Sequence, residues 1–527
     1  MGFLLLGLKK RSFSKWQFAL LIFLAVYAFL LLFDLSNMSI QWDEVIHCYG
    51  GLLLTHGQLQ QYITANTFYP PVFDLVTAGY FEVAGASVFV AKLVAVTFSL
   101  LSLWVVFEIG KRMYGSKIAF ISAIMLGIMP GFVWLSRMAL IETMLVFFFT
   151  VSMLFFFNWL RKNRNKDLII SGVALGLGFL VKYQMLIAGL VMLVTILVSG
   201  RSYIKSKLTR FPLLILVAVA IAIPWFFIAY QIYAQRMLSE WIYALEIGNP
   251  EKLLYSGRFP TPIFYLVEMT WPYIDVHPIS LFTFLLGLAG LGLFAWRRKL
   301  EDKFLIVWFL VVYVFFTLIT NKQWRYVIPL FPVLAISAAS IISFFYDQAK
   351  KAWQSKTIAL YKRRGAKLAG TILIAFTVVA LFFSCYDAYS WSARSQVYIP
   401  VKEASIYTAE RLQPNESVMV VCAFNLFSKD MVGFYLQTDN KQNQVWQYPE
   451  LPVDIYTPVF NTTEFINLCQ EHSVKYVFLY EFGSIYPYFN TTLTLHDVAG
   501  MLYYSGRFTL VTSFGTDPRR IFVMSFE

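Results

Sequence analysis

Away from its basic clusters this 527-residue chain keeps few ionisable side chains, and their types suit group transfer at an anionic centre. Asp43, Glu44 and His47 stand together in a stretch rich in Trp and Tyr. Arg137 and Glu142 follow in an apolar setting, and Lys182 and Arg325 each stand beside a tyrosine. A carboxylate in apolar surroundings can act as a general base, an effect worth about 10²–10⁴ in rate. Guanidinium forks two phosphate oxygens, whereas ammonium offers a point charge. A base plus such cations fits a reaction whose leaving group is a phosphate. Asp43 and His47 have i, i+4 spacing, so a helix would set them on one face. A metal site including His56 is conceivable, but a base with hydrogen-bonding neighbours explains the same residues, and no cofactor is required. Blander roles exist for each cation: Arg137 pairing with Glu142, Lys182 snorkelling to the headgroups, Arg325 anchoring an interface.

The elements that must position these groups are membrane spans. Hydrophobic residues make up 58% of the chain and charged ones 14%, against about 25% charged in soluble domains. Apolar runs of spanning length recur at 16–35, 87–109, 118–134, 138–160, 167–181, 184–200, 211–231, 279–296, 304–320, 326–346 and 368–387. The net charge of +13 is concentrated at every second connection, at Lys111/Arg112/Lys117, Arg161–Lys166, Arg201–Arg210, Arg297–Lys303 and the block 350–367. Residues 36–85 contain no Lys or Arg. That alternation is the positive-inside pattern, so the charge reports orientation and speaks against a nucleic-acid partner. The expectation is eleven crossings with a cytoplasmic N-terminus, in a multi-pass protein of the cell membrane. Asp43, Glu44, His47, Arg137, Glu142, Lys182, Lys322 and Arg325 then all map to the outer side.

Two outer loops, 36–86 and 232–278, are long enough to hold structure. Trp42–Leu54 has helical apolar spacing, and Pro70-Pro71 suits the opening of a second helix. The second loop carries Arg236, Trp241 and Arg258. Residues 1–387 read as the catalytic membrane domain and 388–527 as an extracytoplasmic α/β domain. In that tail Ser417–Ala423, Val474–Tyr480, Phe508–Phe514 and Arg520–Phe526 read as strands, parallel at first and closed by a hairpin at 515–519. Asn-X-Ser/Thr triplets at Asn415, Asn461 and Asn490 fit an outer location. Cys422 and Cys469 read as buried free thiols.

Taken in order, these segments resemble a known group. Trp42-Asp43-Glu44-Val45-Ile46-His47 after the first span is similar to the Asp-Glu motif of protein O-mannosyltransferases, aminoarabinose transferases and other GT-C superfamily glycosyltransferases. Tyr69-Pro70-Pro71-Val72-Phe73 resembles their Pro-Pro motif, with Tyr69 where many relatives carry Lys. Ser136-Arg137-Met138-Ala139-Leu140-Ile141-Glu142, Gly176–Tyr183 and Arg325–Pro329 are similar to later motifs, and the likeness covers about residues 16–346. It implies a GT-C fold, a polyprenyl-phosphate-linked sugar donor, an active site on the outer face, and inversion at the anomeric carbon. Asp43 would be the base with Glu44 in support. Arg137, Lys182 and Arg325 would hold the donor phosphate, and His47, Tyr69, Glu142 and Tyr183 would line the substrate site. The acceptor would be a protein, glycan or lipid. The alternative is a polytopic transporter or lipid flippase, against which the scarcity of mid-span ionisable groups counts.

Overall fold

In a computed structural model the described residues are 14–65, 69–246, 259–271, 277–319, 322–354, 360–394, 398–423, 426–438, 443–449, 460–482 and 493–527. Asn490, Arg258 and Phe68 lie outside them, and the side chains of Trp42, Arg236 and Trp241 are likewise outside the description. The chain divides into two compact units: residues 1–33, 67–73 and 95–394 form one, and 34–66, 74–94 and 395–527 the other.

Every element among the described residues of the first unit is helical. Its opening helix, α1 (Lys15–Leu32), starts at a capping box between Ser14 and Gln17, which satisfies two backbone N–H groups before the apolar run begins. Leu20, Tyr27 and Leu31 are buried while Phe18, Ile22, Val26 and Phe29 are exposed. A helix apolar on all sides, with one stripe packed, is what a lipid-facing span requires. The packed stripe meets its neighbours through Leu20, Phe107, Ala119 and Ala123.

Every one of the eleven apolar runs contains helix. Among the described residues six helices are long and apolar enough to cross a membrane, or seven if Ser116–Gly127 and Pro130–Ser136, bent by 71°, count as one span. The chain is therefore an integral, multi-pass membrane protein. Shorter apolar helices occupy Tyr183–Val198 and Leu281–Arg297. Two helices of this bundle, Asn165–Phe179 and Phe211–Glu246, approach unusually closely: a Cβ at Gly176 would stand 2.7 Å from the Ala218 carbonyl oxygen. Small residues at a crossing let two backbones touch, the usual route to helix association without a hydrophobic drive.

The second unit joins residues 34–66 and 74–94 to the tail. Helix α2 (Trp42–Thr55) forms as the apolar spacing predicts, α3 (Leu59–Ala65) is a short helix absent from those read off the sequence, and α4 (Val72–Ala84) follows Pro70-Pro71. The tail holds a five-stranded sheet of β1 (Ser417–Val421), β2 (Val445–Tyr448), β3 (Val474–Tyr480), β4 (Phe508–Phe514) and β5 (Ile521–Phe526), in the order β2-β1-β3-β5-β4. β2, β1 and β3 run parallel; β5 pairs antiparallel with β3 and β4. β2 is absent from the strands read off the sequence, because four residues give too little alternation. β1 is buried throughout and β3 almost so, as parallel strands covered on both faces should be. Tyr49 of α2 accepts a 2.9 Å bond from Gln437 on the helix Lys429–Thr438, and Phe81 of α4 packs on Phe434. Ser39 also receives the Ile399 N–H at 2.9 Å. All four cysteines are free, with Cys422 and Cys469 buried. Asn461 caps the helix Thr462–Glu471 by accepting from the N–H groups of Thr463 and Glu464.

Candidate active site

In the membrane unit, helix Glu142–Lys162 and helix Asn165–Phe179 are antiparallel neighbours joined by a short turn, so the start of one and the end of the other lie at the same level. Glu142 opens the first, where the helix dipole favours a negative charge. Lys182 follows the second and donates to Glu142 Oε1 at 3.0 Å. Arg325 Nη1 stands 3.9 Å from the same oxygen, and Lys182 Nζ lies 5.6 Å from the Tyr326 ring. Glu142 is almost fully buried, while both cations keep some exposure.

Arg325 stands in a short 3₁₀ segment, Trp324–Leu330, anchored through its neighbour. The Trp324 ring seats against Gly131, where a Cβ would come within 2.9 Å of it, and the Gly131 N–H donates to Pro278 at 2.8 Å. Arg137, buried just after helix Pro130–Ser136, donates to the Leu30 carbonyl of α1 at 3.2 Å. The Val72 N–H donates to the Leu180 carbonyl at 2.9 Å, tying the Tyr69-Pro70-Pro71 segment to the residues just before Lys182. Tyr183 packs at a tilt against Phe179 and Phe226. Glu142, Lys182 and Arg325 therefore come together, with both cations on the same Glu142 oxygen.

In the second unit, Asp43 and Glu44 occupy the first turn of α2. Asp43 is exposed. Glu44 is fully buried: one oxygen accepts the Gln41 N–H at 3.0 Å and the other lies 3.6 Å from Lys92 Nζ, itself fully buried. Lys92 also donates to the Ser39 carbonyl at 3.3 Å. His47 Nδ1 lies 2.7 Å from Asp74 Oδ1, and the Tyr62 hydroxyl donates to Asp74 Oδ2 at 2.8 Å. An ionised Asp74 only accepts, so the pair requires the proton on His47 Nδ1. His47, Tyr62 and Asp74 are all buried. Charged groups enclosed in this way persist only when paired and hydrogen-bonded.

Sequence reasoning missed Lys92, Asp74 and Tyr62. Lys92 had a usable signal, since an ionisable side chain inside an apolar run is functional by default. Asp74 and Tyr62 had none, because their spacing from His47 follows no helical or strand period. Among the described residues no group of three or more His, Cys, Asp or Glu gathers as a metal cluster would.

Parts of the chain match known proteins. Residues 69–228 match the family described as dolichyl-phosphate-mannose-protein mannosyltransferase. The chain is 27% identical over 182 residues, 34% of its length, to the undecaprenyl phosphate-alpha-4-amino-4-deoxy-L-arabinose arabinosyl transferase of Serratia proteamaculans. It is 24% identical over 279 residues, 51% of its length, to the protein so named from Yersinia enterocolitica. The matched stretches span 31% and 46% of those relatives. The fold is that of ArnT from Cupriavidus metallidurans in the apo state, with a TM-score of 0.65 at 14% identity over 96% of this chain and 98% of the other. The same protein bound to undecaprenyl phosphate gives 0.62, again at 14% identity, over 96% of this chain and 98% of that one. The oligosaccharyltransferase of Archaeoglobus fulgidus gives 0.55 at 13% identity, over 88% of this chain and 70% of the other. These likenesses bear out the resemblance to GT-C glycosyltransferases of the aminoarabinose transferase and protein mannosyltransferase group.

Proposed function

We propose that this protein is a membrane glycosyltransferase that moves a sugar from a polyprenyl-phosphate-linked donor to an acceptor on the outer face of the cell membrane, with inversion. The arrangement that carries the proposal is the cluster of Lys182 and Arg325 on the single buried carboxylate Glu142. Two cations gathered on one carboxylate leave a net positive charge that an oxyanion would complete. That is preorganised charge, the largest contribution most enzymes make to a transition state.

In the proposed reaction the acceptor hydroxyl or amine passes its proton to Asp43 and attacks C1 of the sugar. The C1–O bond to phosphate breaks, the electron pair leaves with that oxygen, and Arg137, Lys182 and Arg325 stabilise the lipid phosphate so formed. Glu44 and His47 position the turn that carries Asp43, while Tyr69 and Tyr183 contact the sugar or prenyl chain. The proposal needs no metal. It takes eleven crossings, a cytoplasmic N-terminus and an extracytoplasmic tail. The alternating basic clusters support that orientation.

Membranes containing the Asp43→Asn variant, supplied with radiolabelled undecaprenyl-phosphate aminoarabinose or dolichyl-phosphate mannose, should lose transfer by about 10²-fold or more at normal expression. Undiminished transfer would remove Asp43 from the mechanism.

A further inference from the structure

At the opposite end of helix Glu142–Lys162 lies a cavity of about 480 Å³ lined by Arg112, Phe157, Asn158, Arg161 and Lys162. Twenty residues at about 1.5 Å each separate Lys162 from Glu142, so roughly 30 Å divide this cavity from the Lys182–Arg325 cluster. A helix of this length matches a hydrocarbon core of about 30 Å, which brings Arg161 and Lys162 out at headgroup depth. Asn158, one turn deeper, is only 4% exposed and lines the cavity. A polar amide so enclosed at a cavity wall suits a ligand that can hydrogen-bond to it.

The cations are poorly satisfied by protein. Arg112 meets Glu108 at 3.6 Å and Arg161 meets Glu301 at 3.4 Å, both on partly exposed side chains. Arg161 also donates to the Arg112 carbonyl. Lys162 forms no ion pair among the described residues. Such loose pairs yield readily to an anion that offers several oxygens at once. Basic pockets between membrane helices commonly take anionic lipid headgroups.

We infer that this cavity binds the phosphate of an anionic membrane phospholipid, with Arg112, Arg161 and Lys162 on the phosphate and the Asn158 amide on the phosphate or the ester carbonyls below it. The site is separate from the donor-phosphate cluster and does not depend on the proposed reaction.

The test is native mass spectrometry of the full-length protein purified in detergent and titrated with phosphatidylglycerol or phosphatidylcholine. Wild type should retain phosphatidylglycerol preferentially, and Arg161→Gln/Lys162→Gln should bind it about tenfold more weakly. Asn158→Leu should also weaken it. Lys162→Gln alone, at a solvent-exposed position, guards against misfolding of the double variant and should show a smaller loss. Inorganic phosphate at millimolar concentration should not displace the lipid. Equal retention by wild type and all variants, or equal affinity for the two lipids, would overturn the proposal. Displacement by free phosphate would overturn the assignment to lipid.

Discussion

Lys182 donates to Glu142 at 3.0 Å, and the two residues stand at the meeting ends of adjacent antiparallel helices, 40 positions apart in the chain. That pairing joins two helix termini at one corner, where the proposed donor phosphate would be held. With Arg325 approaching the same oxygen, the corner carries more positive than negative charge. Replacing Lys182 by Met should lower kcat/KM by about 10²–10³-fold, the usual cost of one preorganised charge donor. Lys182→Arg should recover part of the loss. Initial rates at varied donor concentration provide the measurement, and an unchanged kcat/KM in Lys182→Met would exclude the role.

Lys92 and Glu44 form an ion pair with no access to water. Removing one partner strands the other as a buried charge, a loss of about 3–5 kcal/mol. Lys92→Met should therefore destabilise the protein by that order, while Lys92→Met/Glu44→Gln should recover most of it. Denaturation followed in detergent tests this; a double variant no better than the single would show that the pair is not the cause.

Asp74 holds His47 and Tyr62 with one oxygen each. Tyr62→Phe removes one buried bond and should cost about 1–3 kcal/mol, because an oxygen of Asp74 is left unsatisfied. Asp74→Asn should cost more, since its amide cannot accept from both partners, and ring-nitrogen NMR shifts of His47 should report a changed tautomer. Unchanged shifts in Asp74→Asn would contradict the contact.

The tail carries a pH-dependent clasp. Arg520 reaches both oxygens of Glu481 at 2.6 and 2.7 Å, and these bonds hold the Glu481 carboxyl below the usual range. A lowered acid pKa contributes stability that is present above the unfolded value, about 4.3, and is lost as pH falls through the folded one. Hydrogen exchange at the β3–β5 pairing should therefore accelerate on acidification below about pH 4 in wild type, and less so in Glu481→Gln. An identical pH response in the variant would rule out the clasp.

Much of this molecule is legible from local chemistry. Eleven apolar runs become helix because apolar length and helical propensity act over a few turns. Pro70-Pro71 before α4 and the amphipathic spacing of α2 act over one or two turns as well. Asp43, Glu44, Glu142, Lys182 and Arg325 stand out by type alone, as charges that an apolar chain has no reason to keep without a use. The closing hairpin of the sheet follows from two β-rich runs and the turn between them.

Tertiary structure alone decided which of those charges meet. Glu142 faces Lys182 and Arg325 because three helix ends converge, and His47 finds Asp74 27 positions away. Tyr49 meets Gln437 across 388 positions, which binds the segment after the first span to the tail sheet as one compact unit. No periodicity encodes such encounters. They depend on how helices pack and on the direction each side chain leaves its backbone, quantities set by the whole core rather than by any window of residues.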